Sequence, residues 1–249
     1  MNKKIFHIIS FVVGITLLIG IGCKSVQPPS YQSNLIVLDS NQHELETTLK
    51  MIEPYKTALD SEMNEVLVIS AIEFPKEKGK LETLLGNLVA DLSLEIITNK
   101  FPESNIDFCL LNNGGLRTSL PKGEITRGKI FELMPFDNEL VIVSMTPEKA
   151  KELLQYLYNV GGQPISGAVL DFNFSVDSVF NQLNWEEPVN ILTTDYLATG
   201  GDKMDFFLTP IQLENTQLKL RDAIIEYCIA ENKKGKQLTS QLDGRIRFK

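Results

Sequence analysis

Residues 106–117 constrain the fold more than any other segment of this chain. Ile106-Asp107-Phe108-Cys109-Leu110-Leu111 is an apolar run with one aspartate, and it stops abruptly at Asn112-Asn113-Gly114-Gly115-Leu116-Arg117. Six residues rich in β-forming side chains are too few for a helix and read as a buried strand. The glycine pair permits positive φ and lets a backbone approach a ligand closely. Asn112 and Asn113 bring amide donors and acceptors, and Arg117 brings a fixed fork of N–H donors suited to phosphate. A strand ending in an anion-ready loop is a binding-site layout. A tight turn with one solvated arginine is the alternative reading of the same residues.

The N-terminus reads as a targeting segment. Lys3 and Lys4 form a basic start, Ile5 to Ile21 is almost wholly apolar, and Gly20 and Gly22 lead to Cys23. The apolar run falls short of the roughly 20 residues that span a bilayer, and the small-residue pair suits cleavage. The pattern resembles a bacterial lipoprotein signal over residues 1–22, with Cys23 lipidated and exported to the cell envelope, facing the periplasm. An ordinary signal peptide and an uncleaved anchor helix are the alternatives. Residues 23–40, with Pro28, Pro29 and several serines, read as a lipid-anchored tether and lead-in. Residues 41–249 are then one folded body. The whole chain carries a net charge of −8, and the leader contributes two lysines and no acid, so the body is more acidic still. That balance argues against nucleic-acid polymers as partners, since these need a basic surface for counterion release. Cys109 and Cys228 both fall in apolar patterns and read as core residues, with a disulfide between them open in an oxidising compartment.

Along the body, Leu35–Leu38 and Glu65–Ile72 read as strands, and Glu44–Glu62 as a helix interrupted near Pro54. Leu81, Leu84, Leu85, Leu88, Leu92 and Ile96 share one helical face. Gly86 lies inside that helix, where it costs about 1 kcal/mol relative to alanine, so either a packed neighbour or a ligand approaches it closely. Thr126 caps a short helix that must end before Pro135. Glu139–Met145 alternates as a strand, Thr146-Pro147 starts a helix over 147–160, and Gly161-Gly162 ends it. Val169–Val176 and Val189–Tyr196 read as strands, Leu220 to Cys228 as the core of a last helix, and Arg245–Lys249 as a terminal strand. Strands and helices are interspersed without a strict βαβ rhythm, which predicts a mixed-sheet α/β or α+β body.

Catalytic machinery is absent from this pattern. The 249 residues contain two histidines, His7 in the leader and His43 in a polar stretch that reads as solvated surface. That excludes His-rich metal hydrolase centres and a serine–histidine–aspartate triad. No P-loop and no GxSxG elbow occur. Glu186-Glu187 beside Trp185 reads as a loop surface.

Five motifs in order carry a specific resemblance. They are Pro54-Tyr55-Lys56, Leu84-Leu85-Gly86-Asn87-Leu88-Val89-Ala90-Asp91, the Asn112–Arg117 loop, Pro135-Phe136-Asp137-Asn138, and Gly200-Gly201-Asp202. Together they resemble the C-terminal, substrate-recognition domain of the 5′-nucleotidase family. The resemblance implies mixed sheets with helices layered between and outside them. It also implies a nucleotide-binding role, with hydrolysis performed by a separate metallophosphatase domain that holds two metal ions. This chain has no histidines for that domain. It resembles the recognition half of a split 5′-nucleotidase, holding no cofactor itself, with divalent metals expected only in a separate metallophosphatase partner chain. A non-enzymatic nucleoside-binding lipoprotein and a degenerate scaffold domain are the alternatives.

By that resemblance Asn112 contacts a base, Arg117 contacts the substrate and Phe136 is a stacking ring, with Asn113, Gly115, Asn138, Asp202 and Phe206 as further candidates. Two positions depart from the family pattern. Leu81 stands near where an arginine is usual, and Met204 stands where a second ring is usual, so one arginine and one ring are missing unless Phe206 or Phe207 compensates by a shift.

Overall fold

The computed structural model describes Ser33 and residues 45–171 and 186–247. The expected leader, Cys23, the tether, the strand Leu35–Leu38, His43 and Trp185 lie outside the described residues. So do positions 172–176 of the strand expected from Val169 and the last two residues of the terminal strand. The chain divides into two units, Met1–Leu49 and Lys50–Lys249, and the second carries the sheets.

Local sequence signals set most element ends. Helix α1 (Glu46–Met63) runs through Pro54 without the expected interruption, although the proline gives up one backbone hydrogen bond. Strand β1 (Val66–Ser70) follows. Helix α2 (Leu84–Lys100) begins three residues later than its apolar stripe suggests, because the Thr83 hydroxyl accepts the Gly86 N–H at 2.9 Å and caps it. Leu81 therefore falls outside the helix. Gly86 is a packing glycine: a Cβ there would lie 2.8 Å from Thr83 Oγ1 and 3.2 Å from the Pro164 ring.

Strands β2 (Phe108–Leu110) and β3 (Gly123–Thr126) come next, and Thr126 caps α3 (Arg127–Leu133), which stops short of Pro135. Strand β4 (Glu139–Met145) leads to α4 (Pro147–Val160), capped by Thr146 and closed by Gly161 in the left-handed conformation. Short strands β5 (Ile165–Ser166) and β6 (Leu170–Asp171) precede β7 (Val189–Thr194). Strand β7 ends two residues earlier than expected because Thr194 caps a one-turn helix, α5 (Asp195–Ala198). Strand β8 (Gln212–Lys219), helix α6 (Leu220–Lys233) and strand β9 (Ile246–Arg247) complete the body.

The main sheet has the order β5-β2-β7-β4-β8, with β2 and β7 parallel and the other neighbours antiparallel. Both of its faces are covered. Cys109, Leu140, Ile142 and Leu192 join a core with Leu88 and Val89 of α2 and Ala223 and Ile224 of α6. Their strand neighbours Phe108, Leu110, Val141, Val143 and Ile191 join a second core with Leu153, Leu154 and Leu157 of α4. Burial on both faces explains why the 108–111 run shows no polar alternation. Two small pairs flank the main sheet: β1 with β3, antiparallel, and β6 with β9, parallel. The expected mixed-sheet α/β architecture is the one observed.

Cys109 and Cys228 are both free and buried in the first core. Burial pushes both thiols up, that of Cys228 to about 12. In a Cys23→Ser variant, neither thiol should react with a maleimide in the native state at neutral pH, and both should react in denaturant. A native thiol that labels rapidly contradicts this packing. Gly86→Ala should lower the unfolding free energy by about 1–3 kcal/mol, the usual cost of overpacking, as measured by denaturant titration.

Candidate functional site

Three segments reach the same end of the main sheet for a topological reason. Strands β2 and β7 run parallel, so the residues that follow both of them emerge together. Strand β4 runs antiparallel to β7, with Leu140 opposite Thr194, so the residues that precede β4 arrive at that end too. Ligands in open α/β sheets bind outside the carboxyl ends of parallel strands. Here that position holds a cleft of about 330 Å³ lined by Asn112, Gly114, Gly115, Arg117, Phe136, Asn138, Tyr196 and Asp202.

One side of the cleft is a hydrogen-bonded unit centred on Asp202. Asn112 Nδ2 donates to Asp202 Oδ2 at 2.6 Å, and the Tyr196 hydroxyl donates to Asp202 Oδ1 at 2.9 Å. The Tyr156 hydroxyl donates to the Asp202 carbonyl at 2.9 Å, and burial together with the nearby Asp202 charge raises the Tyr156 pKa. Asp202 and Lys203 both take left-handed backbone conformations, with φ of 52° and 64°. Such conformations are uncommon for residues other than glycine and gather at functional sites. Among the described residues each Asp202 carboxylate oxygen accepts one side-chain bond, which leaves further lone pairs for a hydroxyl or amide donor.

The Asn112–Arg117 loop is shaped by that unit. Gly114 and Gly115 do not take positive φ. Their role is close approach: a Cβ on Gly115 would lie 2.9 Å from Asn112 Oδ1, and one on Gly114 would lie 3.2 Å from Asn112 Nδ2. Arg117 is exposed, its Nη1 donates to the Gly114 carbonyl at 3.2 Å, and its guanidinium lies 5.8 Å from the Phe136 ring centre. Lys76 Nζ donates to the Leu116 carbonyl. Desolvation first, and then the charges of Arg117 and Lys78, hold the Lys76 pKa down. Arg117 in the cleft lining and Lys76 on the neighbouring Leu116 carbonyl thus form a cationic end in an otherwise acidic chain.

Two rings supply the apolar surface. Phe136 and Tyr196 are 40% and 43% exposed, against full burial for the largest core rings. The Tyr196 ring is held by its hydroxyl bond and by close contact with Gly201, where a Cβ would lie 2.5 Å from the ring. Flat exposed rings beside fixed polar groups form a surface on which a planar ligand can stack and be oriented.

The structure brings Asn112, Gly115, Arg117, Phe136, Asn138 and Asp202 into one cleft. Two expected residues are not part of it. Asn113 does not line the cleft, and its backbone N–H donates to Gln163 Oε1 at 2.8 Å. Phe206 does not compensate for the missing ring: it is buried in the second core, edge-on to Tyr156 at 5.6 Å. Met204 and Leu81 pack in that same core, so both departures from the family pattern are apolar packing residues. Tyr196 is the lining side chain that sequence reasoning misses, because the 189–196 pattern places it at the end of a strand. The signal that would have found it is Thr194, a capping residue two positions earlier that ends the strand.

A family model described as 5′-nucleotidase, C-terminal domain, matches residues 66–209. The chain belongs to this family. Among its relatives, the 5′-nucleotidase of Vibrio vulnificus (strain CMCP6) is 29% identical over 193 residues, which cover 69% of this chain and 32% of that protein. The trifunctional nucleotide phosphoesterase protein YfkN of Bacillus subtilis (strain 168) is 24% identical over 241 residues, 87% of this chain and 16% of that protein. The chain thus spans a third or less of the length of these relatives. In fold it is similar to the 5′-nucleotidase precursor from Thermus thermophilus, with a TM-score of 0.60, 21% identity, and coverage of 81% of this chain and 43% of the other. The nucleotidase C-terminal domain described here therefore matches a minor part of much longer proteins.

Gly115→Ala should push the Asn112 amide off Asp202 and lower stability by about 1–3 kcal/mol. Thermal unfolding and the NMR signals of the Asn112 side-chain amide would register it. An unmoved amide signal would contradict the close approach seen here.

Proposed function

We propose that this chain is a nucleotide-recognition domain that binds a nucleoside or nucleotide in the Asp202 cleft. The observation that carries the reading is the pairing of two exposed rings, Phe136 and Tyr196, with a fixed polar unit, Asn112–Asp202, and a cationic end at Arg117. A base is planar and stacks on a ring. Its polar edge and the sugar hydroxyls need donors and acceptors, which Asn112, Asn138 and Asp202 supply. A phosphate needs cations, which stand at Arg117 and Lys76. The names of the relatives support the same ligand class.

In this reading hydrolysis belongs to a metallophosphatase domain on another chain, and the two associate. The support is compositional: His7 and His43 are too few for a histidine-rich two-metal centre within these residues. The leader and Cys23 support anchoring by lipid at the cell envelope, with the cleft facing the periplasm.

Calorimetry on the full chain with AMP, adenosine and ribose 5-phosphate tests the proposal. AMP and adenosine should bind saturably. Phe136→Ala should weaken both by about 5- to 150-fold, the range that corresponds to losing one base–ring stack worth about 1–3 kcal/mol. Arg117→Ala should weaken AMP more than adenosine. The chain alone should release no phosphate from AMP, and addition of a metallophosphatase chain that co-purifies with it should. Absence of heat with all three ligands overturns the proposal.

A further inference from the structure

The Phe136 wall of the cleft is not held by its own segment. Residues 134–138 form no helix or strand, and Pro135, Phe136 and Asp137 are all exposed. What holds them is the junction of β8 and α6, which lies beyond the 66–209 stretch that defines the family. Three successive residues there grip the loop. Lys219 pairs with Asp137 at 3.3 Å. The Leu220 N–H donates to the Asn138 carbonyl at 2.9 Å. Arg221 does the most: its Nη1 donates to the carbonyls of Met134 at 3.4 Å and Phe136 at 3.2 Å, and its Nη2 donates to Asp137 Oδ1.

Arg221 is itself an unusual helix residue. It is 8% exposed, and its guanidinium lies 4.4 Å from the centre of the Phe131 ring on α3. Its Nε–H is buried without a partner among the described residues. A buried N–H left unbonded is destabilising, and a methionine would fill the same space without it. The planar fork is what a methionine lacks. A guanidinium donates along several fixed directions at once, so it can fix two carbonyls and a carboxylate relative to a ring.

We infer that Arg221 is a positioning residue for the cleft, a clamp that sets the Phe136 ring and Asn138 in the arrangement that receives the base. The inference rests on the nucleotide-recognition reading for its ligand but not for its geometry. Arg221 touches no ligand. It acts by preorganisation, so that binding does not have to order a loop that has no hydrogen-bonded structure of its own.

Fluorine NMR and calorimetry on the full chain test it together. With 4-fluorophenylalanine incorporated at the 13 phenylalanines, the Phe136 signal is assigned through a Phe136→Leu variant. In Arg221→Met the Phe136 signal should shift or broaden, while those of Phe206 and Phe207, in the second core, stay in place. The Kd for AMP should rise about tenfold. Arg221→Lys, which keeps the charge and loses the fork, should fall between, and Asp137→Asn should show a smaller change in the same direction. An unchanged Phe136 signal with an unchanged Kd in Arg221→Met overturns the inference. Equal disturbance of Phe206 and Phe207 also overturns it, by making Arg221 a general packing residue. If the unmodified chain gives no heat with AMP, the nucleotide reading falls, and the Phe136 signal still decides the clamp.

Discussion

The parallel pairing of β2 with β7 is the constraint on which the rest of the structure depends. It brings Phe108 beside Ile191 and Cys109 beside Leu192, in the middle of a sheet covered on both faces. Parallel strands need such cover, and α2 with α6 on one side and α4 on the other provide it. The same pairing sends the Asn112 loop and the Asp202 loop out at one end of the sheet. Without that shared direction Asn112 and Asp202, 90 positions apart in the chain, would not be within hydrogen-bonding distance.

The cleft that results is organised before any ligand arrives. Asp202 is held by Asn112 and Tyr196 through its carboxylate and by Tyr156 through its carbonyl. Its left-handed backbone is tolerated because these contacts determine the position from several sides. Hydrogen-bonding groups held in place in this way need little rearrangement on binding.

Much of the fold was legible because its signals are local. Thr126, Thr146 and Gly161 mark helix ends by chemistry that acts within four residues, and β4 falls between the residues expected. The misreadings arise where a local signal is outweighed. Leu81 satisfied a helical spacing, but Thr83 offered the better cap, and Leu81 joined the other core. Pro54 is a helix breaker by propensity, and the helix runs through it nevertheless. Six of the eight expected binding residues meet in the cleft, and at Gly114 and Gly115 the glycines serve the close approach of Asn112. Tyr196 falls at the end of a strand pattern, and no sequence signal singles out Arg221. Only tertiary structure reveals that the first faces a cleft and that the second grips a loop.

The two halves of the cleft differ in how they are attached. Asn112, Tyr196 and Asp202 are stitched to one another, so a change in any of them is felt by the other two. Phe136 and Asn138 are fastened from behind, by residues of β8 and α6 that never enter the cleft. The consequence is a division between a constant and a variable jaw. Sequence drift at the loop before β4, or at its fastening, reshapes the Phe136 and Asn138 wall while leaving the Asn112–Asp202–Tyr196 unit intact. A fold built on this plan can remodel one side of its cleft without disturbing the other.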